Sequence, residues 1–318
     1  MMQQQHRSNQ IGAGMSEAVA DRRAEVVRAR LFLVLLILGW GVTWPVMRIA
    51  LEEIPPFSMR VGSLVVGVLT LLIIAQLQGR RLGMPDRKTW LHLVVASVFN
   101  IIAFNIFTPF AQLAAETGRV AIIVYTMPIW ASLLAWPILR ERLDAIRIAA
   151  LVIGVAGMAV LIYPLTSLGI PTGILLALGA GVCWAVGTVY LKWAKVDADP
   201  MAITIWQLVF GLIFVGACLP VFEGSLHLGQ AHAQAIVALL FSGFVGTGIS
   251  YFLWFDIVGR LPAATASLAI LSVPVVGIIS SVIMLGERPT LSDIGGFALI
   301  FIASACVLLW SHERAAPT

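Results

Sequence analysis

The second half of this chain repeats the first, and both halves are apolar over most of their length. At an offset of 144 residues Trp40 meets Trp184, Val42 meets Val186, Arg48 meets Lys192, Pro56 meets Pro200 and Gly67 meets Gly211. At an offset of 146, Pro128 meets Pro274, Leu139 meets Leu285, and Glu141-Arg142 meets Glu287-Arg288. The change of offset puts two extra residues between the second and third spans of the later half. Internal symmetry of this kind in an apolar chain marks a membrane fold made by duplication.

Composition sets the solvent. The 318 residues are 60% hydrophobic and 11% charged, with a mean hydropathy of +0.97. A soluble core could not hide that much apolar surface. Apolar stretches of about 20 residues cross a bilayer as helices, and ten are expected, at 31–51, 57–77, 90–112, 117–139, 145–163, 171–193, 201–221, 235–258, 263–285 and 291–310. Helices are required because backbone groups in lipid must be satisfied within the segment. The period-two alternation of a membrane β-barrel is absent.

Residues 1–30 read as a basic cytoplasmic tail, with no apolar core or cleavage site of a signal peptide, and 311–318 as a second tail. With the N-terminus inside, sixteen of the 20 Lys and Arg fall on the cytoplasmic side; Arg48, Arg60, Arg119 and Arg288 fall outside. The positive-inside rule therefore predicts two cytoplasmic termini. Each repeat, 31–163 and 171–310, holds five spans, an odd number, so the repeats lie in opposite senses. The fold class expected is an all-α integral membrane protein of ten transmembrane helices in two inverted-topology five-helix repeats. Cys183, Cys218 and Cys306 lie within spans and act as small apolar residues. There is no metal-ligand spacing and no nucleotide-binding loop, so no cofactor is expected.

Gly39-Trp40-Gly41 opens the first span, followed by Arg48, and Pro56 begins the second. Ala121-Ile122-Ile123, Pro128 and Leu139-Arg140-Glu141-Arg142-Leu143 follow, with Gly154 and Gly157 in the fifth span. The second copy gives Ala266-Ser267-Leu268, Pro274, Leu285-Gly286-Glu287-Arg288 and Gly295-Gly296. In order and spacing this resembles the EamA-type branch of the drug/metabolite transporter superfamily, over 31–310. The resemblance implies a carrier for small metabolites, often an exporter of amino acids, working by alternating access. It also implies a central cavity formed by spans 1, 3, 4, 6, 8 and 9, with spans 5 and 10 peripheral.

An ionisable group at mid-membrane is functional by default, and none lies at the centre of any span. Asp256, the deepest acid, is either an interfacial partner of Arg260 or a coupling carboxylate. Arg48 either snorkels, with Glu52 or Glu53 as partner, or flanks the cavity with its counterpart Lys192. Glu116 and Arg119 are spaced as a helical pair. The centres of the spans carry neutral polar and aromatic groups instead. The substrate-binding residues expected are Trp40, Trp44, Asn105, Tyr125, Trp184, Thr188, Tyr251 and Trp254, with Asn105 and Tyr251 equivalent at offset 146. Such a lining suits a neutral or zwitterionic metabolite with an apolar part, and each of these side chains could instead serve helix packing.

Pro128 and Pro274 are hinge candidates, since proline frees a carbonyl and kinks a helix. Glu141 and Glu287 are expected to cap the helix that follows each of them, and Thr290-Leu-Ser-Asp293 forms a capping box for the tenth span. The expected partners are a small-molecule substrate and the lipid bilayer, without nucleic acid. Monomer and homodimer both remain open. Three other functions make different demands. A cation–proton drug efflux carrier would need a membrane-buried carboxylate. An intramembrane enzyme would need a catalytic motif, and neither His-Glu-x-x-His nor Gly-x-Ser-x-Gly occurs. A scaffold would not need mid-span prolines in an inverted repeat.

Overall fold

A computed structural model of the chain describes residue 28 and residues 30–140, 145–163, 171–258 and 272–313, and the regular elements among them are all helical. In chain order these are α1 (Arg30–Leu51), α2 (Pro56–Leu77), α3 (Arg87–Ala114), α4a (Thr117–Val124), α4b (Met127–Leu139) and α5 (Ala145–Ile162). They continue with α6 (Thr172–Ala194), α7 (Pro200–Phe222), α8 (Ala233–Val258), α9 (Val273–Leu285) and α10 (Leu291–Glu313). Seven stretches are long and apolar enough to cross a membrane: α1, α2, α3, α4a with α4b, α6, α7 and α8. Shorter apolar helices cover Ile148–Ile162, Val273–Leu285 and Leu291–Cys306. The expectations for Glu141, Arg260 and Ser267 fall outside the described residues.

The sequence offsets reappear as helix boundaries. α2 and α7 each start on a proline, Pro56 and Pro200, 144 residues apart. The fixed proline φ suits the first helical position, where no N–H is needed. α4b and α9 start at Met127 and Val273, each with proline as its second residue, and end at Leu139 and Leu285. Both then pass into a left-handed residue, Arg140 or Gly286. α3 and α8 each contain a wider, π-helical segment, at Val98–Ala103 and Ser242–Ile249. Shifted by 146 residues, the first falls inside the second.

In the packing, α5 lies along α10, while α2 sits between α7 and the π segment of α8. α6 packs on α3 and on both halves of α4, and α9 packs on α4a. Two contacts depend on glycine. Gly157 and Gly296 face each other across α5 and α10, where an added Cβ on either would come within 2.9 Å of the other's carbonyl oxygen. Gly187 of α6 leaves room for the Asn100 side chain, whose Nδ2 donates to Gln207 Oε1 at 3.1 Å.

The helix starts are capped across the fold. The end of the bundle holding residues 51–56, 115–117, 223–232 and 286–290 is termed the outer end, after the basic-residue bias. There the Glu223 carboxylate accepts from Phe57 N and Ser58 N, at 2.7 and 2.8 Å, at the start of α2. Glu287 accepts from Thr117 N and Gly118 N, at 2.5 and 2.8 Å, at the start of α4a. The expectation that Glu287 caps the following helix is therefore corrected: α10 already has its own box. Thr290 N donates to Asp293 Oδ2 at 2.8 Å and Asp293 N donates to Thr290 Oγ1 at 3.2 Å. Left free, Glu287 serves the amides of the neighbouring helix.

Of two ion-pair expectations, the Glu116–Arg119 pair forms and the Arg48 pair does not. Arg119 makes a bidentate pair with Asp293 at 2.7 and 2.8 Å, with Glu116 a more distant partner at 3.4 Å. The planar guanidinium matches a carboxylate edge-on, and Asp293 is already fixed by its box. Arg48 does not meet Glu52 or Glu53. It donates to the backbone oxygen of Gln112, and Glu53 pairs instead with His232 at 3.0 Å.

Two substitutions test these contacts. Gly187→Ala drives a methyl into Asn100 and should cost about 1–3 kcal/mol, as overpacking does, read as a lower unfolding temperature in detergent. Glu287→Ala strands two amides at the head of α4a and should cost about 1–2 kcal/mol. Asp293→Asn, which keeps the α10 box but weakens the Arg119 pair, should cost less than Glu287→Ala; the reverse order would demote the α4a cap.

Candidate functional site

Two interruptions in the helices meet one face of α1. The first separates α4a from α4b. Pro128 has no N–H, so the Val124 carbonyl loses its α-helical donor. The chain turns instead through Tyr125 and Thr126: Tyr125 N donates to Ala121 O at 3.0 Å and Thr126 N to Ile123 O at 3.1 Å. The Thr126 hydroxyl also donates to Ile123 O, at 2.6 Å, and accepts from Trp130 Nε1 at 2.9 Å. Pro128 therefore begins a second half-helix, where a kink in a continuous helix was expected. Pro274 holds the same place in α9. The second interruption is the π segment of α8. Its widened turn is seen in Thr247 Oγ1, which donates five residues back to Ser242 O at 3.3 Å. The Gly246 carbonyl accepts from Trp40 Nε1 at 3.1 Å.

Trp40 and Trp44 are one turn apart on α1 and join the two interruptions. The Trp40 ring lies edge-on to Tyr251, centroids 5.9 Å apart, and 6.2 Å from Trp254. Trp44 lies edge-on to Tyr125, with ring centroids 6.3 Å apart. Tyr125 and Trp44 are buried, at 8% and 7% exposure, whereas Trp40, Tyr251 and Trp254 are partly open. The result is an aromatic wall with neutral hydrogen-bonding tips, drawn from α1, α4 and α8. A phenol and an indole each offer an apolar body and a polar handle.

The other expected residues have partners of their own. Trp184, the counterpart of Trp40, packs edge-on to Phe104 at 4.9 Å. Asn105 is buried, and its amide donates to Ile101 O at 2.8 Å within its own helix. Thr188 is exposed and donates to Trp184 O at 2.8 Å within its own helix. Tyr190 meets His92 Nδ1 at 2.8 Å toward the inner end. Gln112 and Gln207 belong to no motif in the sequence, yet both organise the bundle. Gln112 Nε2 donates to Trp44 O at 3.0 Å, and Gln207 holds Asn100 and, through its backbone oxygen, Ser97. Both sit in apolar stretches, where an amide must find a partner; that requirement was the available signal. Among the described residues no group of three or more His, Cys, Asp or Glu could hold a metal ion.

The comparisons agree with this architecture. Residues 27–163 and again 171–309 match the EamA-like transporter family. YoaV of Bacillus subtilis, an uncharacterized transporter, is 26% identical over 279 residues, covering 86% of this chain and 94% of its own. A probable amino-acid metabolite efflux pump of Salmonella typhimurium is 24% identical over 280 residues, covering 85% and 91%. One solved crystal structure superposes with a TM-score of 0.61 at 21% identity, over 91% of this chain and 99% of its own, and shows the same fold. A multi-pass membrane protein with both halves matching one carrier family is a transporter of small molecules and not an enzyme: the chain belongs to the EamA-like transporter family.

Proposed function

We propose that the chain exports a neutral or zwitterionic metabolite with an apolar part, an amino acid foremost, across a bacterial inner membrane by alternating access. The observation that carries this reading is the neutral wall formed by Trp40, Trp44, Tyr125 and Tyr251. It supplies apolar faces and hydroxyl tips where a cation exchanger would need a carboxylate. The amino-acid class also fits the name carried by the Salmonella relative.

In this reading the chain crosses the bilayer ten times, as two inverted five-span repeats with both termini in the cytoplasm. The repeated helix starts and the two π segments support the duplication; the bias of basic residues supports the orientation. Pro128 and Pro274 act as hinges, because a half-helix that starts on proline can tilt without breaking a backbone bond. At the outer end the Glu287 cap and the Arg119–Asp293 pair tie α4a to the end of α9 and the start of α10. Access from that side requires these ties to part.

The test is counterflow of radiolabelled L-phenylalanine and L-leucine into proteoliposomes. Wild-type protein should exchange at least one of them. Tyr125→Leu and Tyr251→Leu should each lower the initial rate about tenfold or more while the protein stays monodisperse; two lost hydrogen bonds of about 1 kcal/mol plus lost ring contact account for that size. Wild-type rates in both variants would remove the phenols from the site.

A further inference from the structure

Two arginines converge on one face of α3 at the outer end. Arg48 stands one turn beyond Trp44 on α1, and its Nη1 donates to the Gln112 carbonyl. Arg60 stands one turn into α2, and its Nη2 donates to the Thr108 hydroxyl. Thr108 and Gln112 are four residues apart, so they lie on the same side of α3, about 6 Å from each other along the axis. Thr108 in turn donates to Phe104 O at 2.7 Å, and Gln112 to Trp44 O. The two cations are thus tied by hydrogen bonds to α3, which Gln112 joins to α1 at Trp44.

Neither guanidinium has a carboxylate partner among the described residues. The acids of the outer end are committed elsewhere. Glu53 holds His232, Glu223 holds the start of α2, Glu287 holds the start of α4a, and Glu116 and Asp293 hold Arg119. Glu52 is exposed. Within the arginine network two polar atoms are buried without any partner: Arg60 Nε and Gln112 Oε1. Arg60 is half-buried, and a guanidinium with a buried, unpartnered N–H and no counter-ion is costly and is kept when something charged visits it. Snorkelling does not explain Arg60, since a snorkelling head reaches for water while this one reaches Thr108, which is fully buried.

We propose that Arg48 and Arg60 form a carboxylate-binding station for the transported solute at the outer end of the aromatic wall. The proposal rests on the transport reading and narrows its substrate class to acids and zwitterions bearing a free carboxylate. A bidentate carboxylate would supply the missing counter-charge and take the free Arg60 Nε–H. Arg48 lies about 6 Å along α1 from Trp44, so a solute held by its carboxylate can lay an apolar side chain against Trp44 and Tyr125.

The experiment has two arms. In the first, purified protein is heated with 3-phenylpropionate, 3-phenylpropionamide, chloride or phosphate at equal concentration. Stabilisation by the carboxylate alone is expected. The half-saturating concentration should rise at least tenfold in Arg60→Gln and less in Arg60→Lys, with Arg81→Gln unchanged. In the second, proteoliposomes are assayed for counterflow of L-phenylalanine and of L-phenylalaninamide, and the acid should be favoured in wild type but not in Arg60→Gln. Equal stabilisation by carboxylate and amide overturns the proposal, as does equal stabilisation by carboxylate and chloride or phosphate, which marks a plain anion site. These wild-type comparisons stand even if a variant fails to fold. Binding of the carboxylate without any counterflow would defeat the transport reading and leave the site. Acid and amide counterflow at equal rates, unchanged by Arg60→Gln, would defeat the site and leave the transport reading.

Discussion

A backbone amide in hydrocarbon has no water to turn to, and the architecture follows from how each helix end and each interruption meets that demand. Carboxylates from distant segments serve the helix starts: Glu223 at α2 and Glu287 at α4a. Where helices are interrupted, side chains take over. Trp40 donates to the Gly246 carbonyl in the π segment of α8, Thr126 to Ile123 O at the break in α4, and Arg48 to Gln112 O near the end of α3. These are contacts between segments far apart in sequence, apart from the local one at Thr126. The same bonds that satisfy the backbone therefore also fix how the helices sit against one another.

The aromatic wall is a consequence of those interruptions. Tyr125 occupies the turn between α4a and α4b, and Tyr251 is the second residue after the π segment of α8. A continuous helix would turn each side chain by a different angle and separate the two phenols. The two tryptophans of α1 reach both because they are one turn apart on the same face. A carrier that must change shape gains from placing its ligand contacts at such points. There, the free energy separating two helix geometries is smallest, and a bound solute can shift the balance between them.

Much of this was legible in the sequence, and the parts that were not share a reason. The 144 offset gave the helix starts at Pro56 and Pro200, since proline placement is a local constraint, whereas the starts at Met127 and Val273 were read only as kinks at Pro128 and Pro274 within longer spans. The capping box Thr290–Asp293 was legible for the same reason. The target of Glu287 was not, because its partner amides lie 170 residues earlier and its local helix start is already served. The π segments were hidden because widening a turn needs no special residue, only a neighbour that accepts the freed groups. Gln112 and Gln207 look like isolated amides in the sequence, and their meaning lies in Trp44 and Asn100, which no spacing rule connects to them. The spread of the expected lining residues reflects the same limit: depth in the membrane can be counted along a helix, whereas the facing of Thr188 and Asn105 depends on packing.

The duplication is faithful in backbone and divergent in chemistry. Trp40 and Trp184 are equivalent, yet Trp40 meets Tyr251 and bonds to a carbonyl, while Trp184 packs on the Phe104 ring. The equivalents of Ser250 and Tyr251 are Phe104 and Asn105, and the Asn105 amide is spent on its own helix. Arg48 of α1 donates to Gln112 O, and its equivalent on α6 is Lys192. An inverted pair of identical halves would hold a solute equally at both ends of its path. The two arginines and Tyr125 come from the first copy, and Tyr251 comes from the second. In the proposed station a solute is oriented, polar end toward Arg48 and Arg60. The polar contacts would then loosen or hold as the outer ties open, while the apolar contacts change little.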